Sequence, residues 1–334
     1  MKKLYDILCL ASLAIGSIIG AGFVSGREII SFFMGQDIVI SCIFIMIGFF
    51  IGLSFLFCVH KIKDNKLYFV LQPIILVANL IIMSGMLSAI DSLQETFFGL
   101  DKRYPLLSII SLIISNIILS KGINGIENVN FFLVPVIIIV LASVCLSKSV
   151  EMPVMTYRIK PISLFEYVGL NIFMSAILFI DAGEKYKKST SLFSAFLVSL
   201  ILTVLIFLIS ISLYGESDKI ISSDIPLLNF AKSTYLLYLP YSVCLIFGIF
   251  TTLISSHYPL FCIVENKQFT IFNRVVLSLI ALIISRLGFY NIVKDIYPII
   301  GFVGAIVLIF ISILTIFSRE GRLSNTLLPQ ARKE

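Results

Sequence analysis

Apolar residues run almost unbroken along this chain, interrupted at intervals by short clusters of charge, proline and glycine. Runs of roughly 17 to 25 apolar residues have the length of a bilayer-spanning helix. Ten can be marked out: 5–34 (interrupted), 36–59, 67–90, 104–120, 130–147, 163–181, 190–214, 234–257, 270–287 and 292–317, of which the fourth and ninth are short. No polar segment between them exceeds about twenty residues, which leaves no room for a sizeable soluble domain. The pattern predicts an all-α polytopic membrane protein of about ten transmembrane helices.

Composition agrees. The chain of 334 residues is 59% hydrophobic and 13% charged, with mean hydropathy +1.07, more apolar surface than a soluble domain could hide. MKKLYDILCL carries Lys2 and Lys3 ahead of an apolar stretch, as a signal peptide would. No small-residue cleavage site follows and further spans do, so it reads as a retained first helix. Lys2, Lys3, the HKIKDNK loop at 60–66, Lys121, the EKYKK loop at 184–188, Lys267, Arg274, and Arg319, Arg322, Arg332 and Lys333 of the tail fall on one side. Together they make fifteen of the twenty-five basic residues. That side is expected to be cytoplasmic, with both termini inside and the protein in the cell membrane. Lys102, Arg103, Arg158 and Lys160 fall on the other.

The net charge of +6 comes from these scattered loops and forms no basic stripe, so nucleic acid is not an expected partner. The expected partners are the lipid bilayer and a small solute, and no protein-docking domain is displayed. Cys9, Cys42, Cys58, Cys145, Cys244 and Cys262 lie singly, without a CxxC pair, and read as core hydrophobes. His60 and His257 fall near helix ends and read as interfacial. Without HExxH, GxSxG or paired aspartates, no enzyme, no catalytic residue and no resident cofactor is expected.

Ten spans with both termini inside divide into five and five. Because five is odd, the second half enters the membrane upside down, as in an inverted repeat. The expected division is 1–149 (spans 1–5), 150–317 (spans 6–10) and a cytoplasmic tail, 318–334. Each half opens with a segment unsuited to one continuous helix. In GSIIGAGFVSGREI, residues 16–29, Gly16 and Gly20, and Gly22 and Gly26, have the spacing of four that serves helix packing. A broken helix also accounts for the crowding of both pairs and for Ser17, Ser25, Arg27 and Glu28, since freed carbonyls and amides can bind an ion and a polar solute. In EYVGLNIFMSAILFIDAG, residues 166–183, Gly169 and Asn171 fall mid-run, where the amide must find a neighbouring helix or a ligand. The eighth span, FGIFTTLISSHY, sets Thr252, Ser255 and Ser256 on one helical face. Three hydroxyls there suit a hard cation that wants oxygen ligands; they can also satisfy carbonyls of their own helix.

GSIIGAGF resembles the unwound part of the first helix in the amino acid–polyamine–organocation superfamily, whose members have the leucine-transporter fold. The continuation GFVSGREIISFF resembles the YkvI-type amino acid permeases of that superfamily, and ten spans in about 330 residues match that group over essentially the whole chain. The resemblance implies broken first and sixth helices and a secondary transporter of a small neutral or zwitterionic solute, an amino acid, coupled to sodium or protons by alternating access. Germinant-receptor subunits of spores share the superfamily fold, which makes a non-transporting nutrient sensor the alternative.

The resemblance also implies roles for particular residues. Carbonyls of Gly16 and Ile19, with the hydroxyls of Thr252, Ser255 and Ser256, would hold sodium; the absence of a mid-span lysine in the fifth run tilts the expectation that way. Amides at Gly20, Ala21 and Gly22 would face a solute carboxylate, and carbonyls from Tyr167 through Gly169 to Asn171 its amine, with Phe23, Ser84 and Gly85 as side-pocket residues. No fixed charge sits at the expected midplane. Arg27 and Glu28 lie about one turn outward, where an external gate would be. An Arg27–Asp295 contact on closure is the gating expectation, against ordinary snorkelling. The loop 215–232 could fold over the same entrance.

Overall fold

A computed structural model describes residues 2–59, 66–147, 158–223, 225–232, 235–265 and 270–327. His60, the loop up to residue 65, Lys267, Arg332 and Lys333 lie outside the described residues, as do the side chains of Arg319 and Arg322. The interrupted first run forms α1 (Lys2–Ile18), α2 (Ala21–Val24) and α3 (Arg27–Phe33). α4 (Ile38–Cys58), α5 (Lys66–Phe98), α6 (Leu106–Leu119) and α7 (Gly122–Leu146) complete the first half. The sixth run is α8 (Pro161–Met174) and α9 (Ala176–Gly183). It is followed by α10 (Lys188–Ser212), the short α11 (Asp218–Ile221) and α12 (Pro226–Ala231), α13 (Tyr235–Glu265) and α14 (Thr270–Ile284). The last run begins as α15 (Phe289–Asn291), passes through a π-helical turn at Ile292–Ile296, and continues as α16 (Tyr297–Leu327).

Each of the ten apolar runs is therefore helical, but among the described residues the number of helices long and apolar enough to cross a membrane is six. It becomes seven when α8 and α9, bent by 58° at Ser175, are taken as one span. The first, fourth and ninth runs give α1, α6 and α14, of 17, 14 and 15 residues. The lipid-facing surface is written on the helices. In α4, Ile43, Ile47 and Ile51 form an outward stripe at i, i+4 spacing, each more than half exposed, while Ile45, Phe49 and Leu53 are buried on the other face. An apolar stripe turned outward is stable where the surroundings are hydrocarbon.

The packing partners repeat with an offset of five spans. α1 packs on α7 as α8 packs on α16, which are first on fifth and sixth on tenth. α1 on α10 is matched by α8 on α4, α1 on α13 by α8 on α5, and α5 on α14 by α13 on α6. α4 with α10 and α5 with α13 are their own counterparts. The breaks fall in the first and sixth spans and the two shortest spans are the fourth and ninth, so local structure follows the same offset. This is the pairing a five-plus-five repeat produces.

Candidate functional site

Gly20 interrupts the first run with extended backbone (φ −95°, ψ −168°), and its N–H turns to the Ile18 carbonyl at 2.8 Å. Carbonyls that thereby lose their helical donors need other donors, because lipid offers none. Thr252 Oγ1 donates to the region between the Gly16 and Ser17 carbonyls, 3.2 Å from each. Ser17 Oγ lies 2.7 Å from the Leu13 carbonyl and 2.9 Å from Ser255 Oγ. On the far side of the break, Tyr241 Oη donates to the Val24 carbonyl at 2.6 Å and the Leu227 N–H to the Ser25 carbonyl at 3.0 Å. The eighth span thus clasps the break from one side, and α12 caps its outer end.

The four glycines serve four separate purposes. A Cβ on Gly16 would meet the Asn130 side chain at 2.7 Å, and one on Gly20 would meet Thr252 Oγ1 at 2.9 Å. Gly26 has φ +80°, the left-handed backbone that lets α2 turn into α3, with Leu213 and Leu227 packed on it. Gly22 leaves room for a functional group. A Cβ there would overlap the carboxyl of Glu28, which is folded back over the break.

That position corrects the expected one. Glu28 does not stand at an outer gate beside Arg27: it is 3% exposed and its Oε2 has no partner among the described residues. Arg27 diverges from it. The guanidinium donates to the Ile221 carbonyl at 2.5 Å and lies 4.1 Å from the Tyr290 ring centroid, while Asp295 is exposed. Arg27 therefore ties the break to α11 and not to Asp295, and Ile221 in turn lines a cavity of about 410 Å³ with Ile29, Phe33, Tyr214 and Glu216. The midplane expectation changes with it, since a fixed acid now sits against Gly22.

Two tyrosines complete the surroundings of Glu28. Tyr167 of α8 is fully buried, its ring packed by Phe33, Phe32 and Phe49 at centroid distances of 5.0, 5.3 and 6.0 Å, and its Oη has no partner among the described residues. Tyr297 directly follows the π-helical turn, and π-turns recur where a helix must re-aim a side chain at a functional site. Its Oη lies 2.9 Å from where a Cβ on Gly85 would be, and it too is buried without a partner among the described residues. Both hydroxyls are within electrostatic reach of the Glu28 carboxyl.

Other expected solute contacts scatter. Ala21 and Phe23 lie buried in α2, and Gly85 meets Tyr297. Ser84 donates to the Leu80 carbonyl of its own helix at 2.6 Å. Asn171 Nδ2 likewise turns to the Tyr167 carbonyl at 2.9 Å, which leaves its buried Oδ1 unpartnered among the described residues. Gly169 is a packing glycine: a Cβ on it would strike the Gly301 carbonyl and Ala305 of α16. The second break falls at Ser175, five residues or so beyond the expected weak point, and its buried hydroxyl has no partner among the described residues.

Of the five expected sodium ligands, Gly16, Thr252 and Ser255 converge, Ile19 lies beside Gly248, and Ser256 bonds the Leu253 carbonyl of its own helix at 3.1 Å. Ser17 joins the cluster. The donor set consists of neutral oxygens, which is what a hard cation accepts. Asn130 of α7, which sequence reasoning passed over, bonds the Leu13 carbonyl at 3.3 Å and presents beside Gly16 an Oδ1 unpartnered among the described residues. Its place near the start of an apolar run was the available signal. Thr252→Val keeps the side-chain shape and removes the shared donor to two carbonyls. It is expected to lower stability by about 1–3 kcal/mol, read as an earlier thermal transition of the purified protein; an unchanged transition would mean that the clasp contributes nothing.

The opposite end of the bundle, where α1 begins, is also tied. Tyr258 Oη donates to Asp181 at 2.8 Å, Lys185 reaches Asn124 at 2.7 Å and Glu127 at 3.1 Å, and Ser115 meets His257 Nδ1 at 3.0 Å.

No family model matches the chain. It is 28% identical to "Uncharacterized membrane protein YkvI" of Bacillus subtilis (strain 168), over 88% of this chain and 92% of that protein. Among solved structures it is similar to Mhp1, a nucleobase-cation-symport-1 family transporter in a closed conformation with bromovinylhydantoin bound. That likeness has TM-score 0.46 and 14% identity, and covers 89% of this chain and 70% of that one.

Proposed function

We propose that this membrane protein is a secondary transporter. It carries a small neutral or zwitterionic solute, an amino acid, across the cell membrane by alternating access, coupled to sodium or protons, with both termini cytoplasmic and with 1–149 and 150–317 as its two repeats. The observation that carries this reading is the paired interruption of the first and sixth spans inside a packing pattern that repeats every five spans. A helix broken within hydrocarbon exposes backbone groups at a cost unless they are satisfied or bind something. Paired breaks at a repeat interface are where transporters place their solute and coupling ion. Polar ties at both ends of the bundle support a state closed to both sides, which rocking of one part against the other would open in turn.

Sodium, as a transported partner, would use the Gly16, Ser17, Thr252 and Ser255 oxygens. The test is uptake by the purified protein in proteoliposomes, with a panel of labelled neutral amino acids and inward sodium or proton gradients. Gradient-dependent accumulation, reduced at least about tenfold in Ser255→Ala when sodium drives it, is the expected result. Binding without accumulation under either gradient would sink transport and put the sensor reading in its place.

A further inference from the structure

We propose that Glu28, Tyr167 and Tyr297 form the subsite for a positively charged amino group, so that the protein selects solutes carrying a protonated amine. The proposal rests on the transporter reading and narrows its solute class. α3 packs on α8 and on the π-helical turn that precedes Tyr297, which brings both tyrosine hydroxyls within electrostatic reach of the Glu28 carboxyl. Each of the three side chains is at most 3% exposed and has a buried oxygen with no partner among the described residues. Buried polar atoms are nearly always hydrogen-bonded, and an orphan is costly. Three within reach of one another's element are accounted for if they receive a ligand's donors.

The sign and number of these groups identify that ligand. They are one carboxyl and two hydroxyl oxygens, and an ammonium group offers three donors and no acceptor. The neighbouring cation does not neutralise the acid, because Arg27 is turned to the Ile221 carbonyl and the Tyr290 ring. Space is reserved on purpose: Gly22 has no side chain where the Glu28 carboxyl lies, and Gly85 has none where the Tyr297 hydroxyl lies. The subsite adjoins Gly22 at the break, where the solute carboxylate was expected, so the two ends of an amino acid would be read side by side.

The test uses sets of compounds that share a side chain and differ in their charged groups: leucine, 3-methylbutylamine and 4-methylpentanoate; alanine, ethylamine and propionate; phenylalanine, phenethylamine and 3-phenylpropionate. Stabilisation of the purified full chain against heat gives an apparent affinity without requiring transport. In at least one set the members bearing an amine should bind and the amine-free acid should not, and Glu28→Gln should weaken that binding about tenfold or more. Should Glu28→Gln not yield folded protein, Tyr297→Phe, which keeps the ring, should weaken it about threefold or more. Comparable binding of amine-free acids would overturn the subsite, as would unchanged affinity in both variants or no response in any set. A stabilisation by sodium alone that Glu28→Gln abolishes, with no response to amines, would assign the carboxyl to the inorganic ion and overturn it too. Transport of an amine-free solute would leave the transporter reading standing and remove this one; amine binding without transport would do the reverse.

Discussion

Gly22→Ala is expected to lower the thermal stability of the purified protein and to abolish solute accumulation, and adding Glu28→Ala is expected to recover the stability without the accumulation. The reason is a single overlap. A methyl group at residue 22 takes the space of the Glu28 carboxyl, so either the carboxyl leaves its pocket beside Tyr167 and Tyr297 or the backbone of the break shifts. Overpacking of this kind costs about 1–3 kcal/mol, and removing the side chain that is struck should return most of it as a coupling energy between the two positions. Thermal unfolding of the four proteins of the cycle, with uptake measured on each, reads both effects. Additive stabilities would show that Gly22 and Glu28 do not meet, and normal uptake in Gly22→Ala would show that the carboxyl's place does not matter.

Gly301→Val should eliminate folded protein outright. At the crossing of α8 and α16 the two backbones touch: a Cβ on Gly301 would strike the Glu166 carbonyl, and one on Gly169 would strike the Gly301 carbonyl. A Cβ on Gly304, one turn on, would meet the Phe173 Cβ at 2.7 Å. Small residues that allow such approach drive helix association in lipid, where the hydrophobic effect does not hold helices together. A side-chain clash can be relieved by a rotamer change; a clash with a carbonyl requires the helix to move, and the expected loss is about 4 kcal/mol or more. Size-exclusion profiles of detergent extracts should show no monodisperse peak for Gly301→Val, whereas Ile309→Val on the exposed face of α16 should match the parent. A normal peak from Gly301→Val would mean that the crossing tolerates separation.

Gly169 illustrates why the candidate site was only partly legible in the chain. A glycine in mid-span can mark an unwound segment or a close crossing, and the two look alike in sequence because both are answers to the absence of a Cβ. Gly169 proved to be a crossing residue, and the sixth span breaks at Ser175, which no glycine or proline announces. In the first span both answers hold together: Gly16 and Gly20 admit Asn130 and Thr252, and the chain still breaks at Gly20. The hydroxyls of Thr252 and Ser255 were legible as a shared face because helical spacing alone sets it.

What the sequence by itself determined is the solvent and everything that follows from it: lipid around an all-helical chain, ten apolar runs at their places, short fourth and ninth runs, and a first run too rich in glycine to continue as one helix. Those features depend on composition and on periodicities that each segment carries alone. Only the tertiary structure decided which way the side chains at the break face. Read along a straight helix, Glu28 stands a turn outward beside Arg27, because residues six apart do not meet on a helix. The left-handed turn at Gly26 separates α2 from α3, and the carboxyl folds back onto Gly22 while Arg27 is taken by Ile221 and Tyr290. Tyr167 and Tyr297, 130 residues apart, come within electrostatic reach of the same carboxyl because α3 packs on α8 and on the π-helical turn before α16, a relation that no local stretch of the chain contains.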